Sequence, residues 1–214
     1  DGGSHVPIVA GRNQAEGLFV TIFWIAMKIH LALGAALLLV GGCSRSNTSE
    51  AAGLRAGSTE VNFLADDGGR VYADLYPAIG PRKGLILMFH QSGSNSVEYA
   101  PIVPKVAALG FECLAVDQRS GGDMFAGYNR TAANYKGKQA YEDAYHDMDA
   151  AFKWAETKRY KNIIAWGSSY SASLALRLAD EHPEISAVLA FSPGEYMQQK
   201  GVVQLWASKC KVPV

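Results

Sequence analysis

Asn162-Ile163-Ile164-Ala165-Trp166-Gly167-Ser168-Ser169-Tyr170-Ser171-Ala172 is the stretch on which the fold turns. Asn162 to Trp166 is a short apolar run of strand length, and from Tyr170 to Asp180 the pattern is helical. Very few residues are left to reverse the chain, so the junction is sharp. Centred on Ser169 it reads G-x-S-x-S, a variant of the strand–turn–helix pattern G-x-S-x-G. The residue on such a turn is strained, and its neighbours two positions away on each side approach closely and must be small. Around Ser169 these are Gly167 and Ser171. Around Ser168 they would be Trp166 and Tyr170, which do not fit. Ser169 is therefore the candidate nucleophile, at a helix N-terminus whose dipole and free N–H groups favour negative charge. The same residues also read as a serine-rich helix cap.

Outward from this turn, strands and helices alternate. Val61–Leu64 and Arg70–Tyr76 form a hairpin across Asp66-Asp67-Gly68-Gly69. Gly84–Phe89 is uninterrupted apolar sequence, as in a strand buried on both faces. Tyr99–Leu109 is helical by pattern, with Gly110 as its stop, and Phe111–Val116 is the next strand. Asp117–Lys138 is an unusually long loop. Tyr141, Ala144, Tyr145, Met148, Phe152 and Ala155 mark one face of a helix. Ile185–Phe191 is a strand, a helix runs up to Ser208, and Val212–Val214 reads as the opening of another strand. The expected class is α/β: a mostly parallel central sheet flanked by helices, with an N-terminal β-hairpin and its last strands missing.

Composition narrows the function classes. Among 214 residues, 49% hydrophobic content excludes wholesale disorder. The balance of 20 Lys+Arg against 20 Asp+Glu argues against a nucleic-acid partner. Three cysteines are too few for a disulfide framework, although a Cys113–Cys210 bridge stays open. No His/Cys cluster has metal-ligand spacing and no Gly-rich phosphate loop is present, so no cofactor is expected.

The N-terminal part reads as an address. Residues 1–26 form an upstream non-domain segment. Met27-Lys28-Ile29-His30, the apolar run Leu31–Val40 and Gly41-Gly42 form a signal peptide over 27–42. A membrane-spanning reading of Leu18–Val40 would bury Lys28 near the bilayer centre, at a cost of about 2.5–3.5 kcal/mol. Leu39-Val40-Gly41-Gly42-Cys43-Ser44 resembles a bacterial lipobox, which implies lipidation of Cys43 and attachment to the cell envelope, at the outer membrane facing the periplasm. Residues 43–59 are then a flexible tether, and 60–214 the folded domain.

A second element agrees with the turn at Ser169. His90-Gln91-Ser92-Gly93 follows the strand ending at Phe89. Together with Asp117-Gln118-Arg119-Ser120-Gly121-Gly122 and Gly167-Ser168-Ser169-Tyr170-Ser171, it resembles the α/β-hydrolase superfamily, closest to dienelactone-hydrolase-like and esterase-like bacterial members. The resemblance covers residues 60–214, the N-terminal two-thirds of such a domain. It implies an oxyanion site made by the backbone N–H groups of Gln91 and Tyr170, with His90, Gly93, Gly167 and Ser171 as supporting motif residues and His90 ordering its loop. Dienelactone hydrolase itself uses a cysteine, so Ser169 points instead to a serine esterase acting on small ester-type substrates through an acyl-enzyme.

The resemblance also implies a chain order of Ser, then acid, then His. His182 is the only histidine after Ser169, and a helix of that length carries it about 16 Å away. Glu195 is a candidate acid, with an exposed loop carboxylate as its alternative. The family's acid and His otherwise fall beyond Val214, so the 214-residue chain is expected to be inactive. Asp117 is read as a loop anchor, and Arg119, Asp123 and Arg130 as loop residues that could meet a substrate. The rival reading is a non-catalytic, membrane-anchored lipoprotein that uses a hydrolase fold for binding.

Overall fold

The structure, a computed structural model, describes residues 53–214. The apolar stretch 18–40, the signal-peptide reading and Cys43 lie outside the described residues. Among the described residues, no helix is long and apolar enough to cross a membrane.

Among the described residues six strands form one sheet: β1 (Thr59–Leu64), β2 (Arg70–Tyr76), β3 (Gly84–Phe89), β4 (Phe111–Asp117), β5 (Ile163–Ser168) and β6 (Ile185–Phe191). Their order is β1-β2-β4-β3-β5-β6. β4, β3, β5 and β6 run parallel, and the β1–β2 hairpin joins β4 antiparallel. Side chains alternate across the sheet. Leu85, Leu87 and Phe89 of β3 join the principal core, while Ile86 and Met88 are equally buried on the other face.

Among the described residues the sheet is flanked by helices α1 (Val103–Ala107), α2 (Ala144–Thr157), α3 (Tyr170–Glu181) and α4 (Val202–Lys209). The face of α2 expected from its 3.6-residue period is the buried one: Ala144, Tyr145, Met148, Phe152 and Ala155 all lie in the core. Trp166 is buried between Tyr99, edge-on at 6.0 Å, and Phe191, stacked at 5.0 Å.

Two elements differ from expectation. The helix read over Tyr99–Leu109 is split into a 3-10 turn, Ser96–Tyr99, and the shorter α1. Pro101 has no N–H with which to extend the helical ladder, and Pro104 sits in the first turn of α1, where no donor is needed. The turn starts earlier than expected because the Asn95 side chain accepts the Val97 N–H at 3.0 Å. At the C-terminus, Val212–Val214 is not a strand, but the Pro213 carbonyl accepts the Val188 N–H of β6 at 2.9 Å.

Arg55, within the stretch read as tether, is docked on the domain. Its Nε donates to Asp74 Oδ2 at 3.0 Å and its Nη2 to the Tyr128 carbonyl at 2.8 Å.

Candidate active site

Ser169 holds φ +57° and ψ −124° between β5 and α3. That is the left-handed side of the map, which a residue with a Cβ occupies only under strain. Neighbouring bonds enforce it. The Ser169 N–H donates to the Phe191 carbonyl at 2.8 Å, and its carbonyl accepts the Ala172 N–H at 3.0 Å. Both flanking positions are as crowded as the turn requires: a Cβ on Gly167 would stand 2.3 Å from the Ser171 carbonyl oxygen. Ser169 occupies the N-cap position of α3, yet its side chain caps no N–H. The residue is partly exposed and its hydroxyl makes no hydrogen bond among the described residues, so a capping role does not account for it.

The loop after β3 is fixed from several sides. His90 is fully buried. Its Nε2 accepts the Gln118 N–H at 2.9 Å, so the ring proton sits on Nδ1, which donates to the Gln91 carbonyl at 2.8 Å. Burial pushes its pKa below the usual histidine value and keeps it neutral. His90 therefore orders the loop. Gly93 has φ +71°, and its carbonyl accepts the Met124 N–H at 3.2 Å. Tyr141 donates to Ser92 Oγ at 2.9 Å and stacks on Tyr170 at 4.5 Å.

Of the two expected backbone donors, the Tyr170 N–H is at the first position of α3, where a helix offers it no acceptor. The Gln91 N–H is engaged: it donates to Glu98 Oε2 at 3.1 Å. The next one along, Ser92 N–H, makes no hydrogen bond among the described residues. Glu98 was not legible from local sequence, because it reaches Gln91 only across the turn between β3 and α1.

Ser171 is also more than a small residue. Its buried Oγ lies 2.6 Å from the His90 carbonyl oxygen and 3.1 Å from Gln118 Oε1.

The other candidates are engaged elsewhere. Glu195 accepts the Val203 and Gln204 N–H groups at 3.4 and 3.0 Å, capping the start of α4. His182 Nε2 meets Asp149 Oδ1 at 2.8 Å, and its ring lies 4.1 Å from that of Phe152. His146 Nδ1 meets Asp66 Oδ1 at 2.6 Å. None of the three described histidines is engaged with Ser169. Among the described residues no group of His, Cys, Asp and Glu is arranged to hold a metal ion. Cys113 and Cys210 are free thiols, and burial pushes Cys113 up to about 12.

The long loop is pinned rather than loose. Asp117 accepts the Ser96 N–H at 2.7 Å and Arg130 Nε at 2.7 Å, as a loop anchor does. Arg130 also binds both oxygens of buried Asp74, at 2.9 and 2.8 Å. Arg119 is buried between Asp147 and Asp67. With these partners, neither arginine is free to meet a substrate.

Known proteins give this geometry its setting. The Hydrolase_4 family model, described as serine aminopeptidase, S33, matches residues 80–212, more than half of the chain. Among solved structures, the chain is similar to the esterase Pf2001 of Pyrococcus furiosus, with 20% identity, 77% of this chain and 60% of that one covered, and a TM-score of 0.55. It is also similar to the α/β-hydrolase GrgF from Penicillium sp. sh18, with 20% identity, 64% and 46% covered, and a TM-score of 0.52. At such identities the likeness is one of fold. The chain spans less than two thirds of the length of either structure. None of the curated proteins matches it. By its family match and its fold, the chain belongs to the Hydrolase_4 family (serine aminopeptidase, S33) of α/β-hydrolases.

Proposed function

We propose that this chain is the nucleophile-bearing part of a serine hydrolase acting on carboxylic ester-type substrates. The observation that carries the reading is Ser169: a strained +57° residue at a strand-to-helix turn, partly exposed, with an uncommitted hydroxyl. A structural cap would gain nothing from that strain. Ser169 Oγ attacks the carbonyl carbon, and its proton passes to a histidine supplied from outside residues 53–214. The oxyanion is held by the Tyr170 N–H and a donor of the His90–Gly93 loop. Ser92 is the donor we favour over Gln91, whose N–H already serves Glu98. Collapse expels the alcohol, and water then releases the acid from the acyl-enzyme.

The rival reading, a non-catalytic module on a hydrolase fold, draws on one observation: no described histidine is engaged with Ser169. Fluorophosphonate labelling of the full-length protein separates the two. Covalent labelling that Ser169→Ala abolishes supports the enzyme; an unlabelled wild type overturns it. Lipid attachment at Cys43 and an envelope location belong to the same proposal, on the strength of the lipobox resemblance. Metabolic labelling with a fatty-acid analogue that survives Cys43→Ser would overturn that part.

A further inference from the structure

We propose that Ser171 is a positioning residue of this site, acting through the backbone that carries the oxyanion donors. The inference rests on the serine-hydrolase reading above. Ser171 Oγ has one proton and two close oxygen neighbours, the His90 carbonyl at 2.6 Å and Gln118 Oε1 at 3.1 Å. The shorter contact takes the proton. The longer one becomes favourable when the Gln118 amide is turned so that its NH2 donates to Ser171 Oγ. That orientation gives a partner to an amide nitrogen that is otherwise buried with none.

The contacts then close a ring. Ser171 binds the His90 carbonyl, Gln118 binds Ser171 through its side chain, and the Gln118 N–H binds His90 Nε2 at 2.9 Å. His90 Nδ1 in turn holds the Gln91 carbonyl. This ring joins the first turn of α3 to the loop after β3 across the end of β4. The Tyr170 N–H lies immediately before Ser171, and the Ser92 N–H lies two residues after His90. The hydroxyl of Ser171 therefore ties together the two peptide segments whose separation defines the oxyanion site. A glycine in its place, as the G-x-S-x-G pattern has, makes neither bond. Oxyanion donors act only within about 2.7–3.1 Å of the charge that develops in the transition state. Loosening the tie therefore weakens transition-state binding while leaving the ground-state ester contacts in place.

The test uses full-length protein with a p-nitrophenyl ester as substrate and a trifluoromethyl ketone as inhibitor. The ketone carbon takes the serine oxygen, and its carbonyl pair becomes the oxyanion. Ser171→Gly and Ser171→Ala are expected to lower kcat by about ten- to a hundredfold with KM within about twofold of wild type, and to weaken ketone binding by the same factor. Thermal unfolding is measured in parallel. Gln118→Met, which keeps the side-chain volume, is expected to show the same kind of loss, and the double variant to be no worse than the poorer single one. Wild-type kcat and ketone affinity in both Ser171 variants would overturn the inference, as would a loss carried in KM or tracking the melting temperature. If those variants are indifferent while Ser169→Ala abolishes labelling, only the positioning role fails. An unlabelled wild type fails both readings.

Discussion

A Cβ added to Gly167 would stand 2.3 Å from the carbonyl oxygen of Ser171 and 2.5 Å from the nitrogen of Ala172. Both obstacles are backbone, so neither can swing aside. Gly167→Ala is therefore expected to destabilise the domain by about 1–3 kcal/mol or more, the range for overpacking a buried site. Urea denaturation of the two proteins measures it, and an unchanged midpoint would contradict the close approach.

Strain at Ser169 predicts a trade between stability and function. Glycine occupies positive φ without steric cost. Ser169→Gly should raise the unfolding free energy by about 1 kcal/mol while abolishing fluorophosphonate labelling. Ser169→Ala, which keeps the Cβ, should lose labelling without that gain. Equal stabilities for the two variants would mean that the turn is unstrained.

Glu98 distinguishes the two candidate loop donors. It holds the Gln91 N–H at 3.1 Å. If Ser92 is the oxyanion donor, Glu98 orients its peptide, and Glu98→Ala in the full-length protein should slow ester hydrolysis by about tenfold. If Gln91 is the donor, removing the carboxylate should free it and speed the reaction. Initial rates at saturating substrate decide the question.

Asp147 and Arg119 are both buried, with Arg119 Nη2 2.8 Å from Asp147 Oδ1. Asp147→Ala strands the guanidinium, leaving only Asp67 opposite it. The expected loss is about 3–5 kcal/mol, read as a shift in the denaturation midpoint. An Arg119→Met/Asp147→Leu double variant should recover part of that loss, since no buried charge then lacks a partner.

Asp67 gives a pH dependence. The hydrogen-bonded Arg119 guanidinium holds its carboxyl down at about 2, against an ordinary value of about 3.9 in an unfolded chain. A carboxylate with a depressed folded pKa stabilises the fold above the unfolded value, and the contribution is lost as pH falls through the folded one. Stability should thus decline from about pH 4 towards pH 2, and Asp67→Asn should flatten that part of the curve. Asp67 is about one-third exposed, so solvent screening limits the effect to about 1 kcal/mol or less. Denaturant midpoints across this range measure it.

The strands could be read from the sequence because their signals are local. β2, β3 and β6 fall on Arg70–Tyr76, Gly84–Phe89 and Ile185–Phe191, where apolar runs end at turn-forming residues. Ser169 could be read as well, because the steric demand of the turn falls on Gly167 and Ser171 within the same five residues. The sequence by itself thus determined the alternation of elements and the strained turn at Ser169 between two of them. Strand order, the antiparallel docking of the hairpin on β4 and the closure of the long loop were decided only in three dimensions. So were the carboxylate of Glu98 on Gln91 and the bond from Ser171 to His90, partners 7 and 81 residues apart. The physical reason is range. Propensity, periodicity and turn sterics act over a few neighbouring residues, whereas a buried hydrogen bond is satisfied by whatever group the packed sheet brings within about 3 Å.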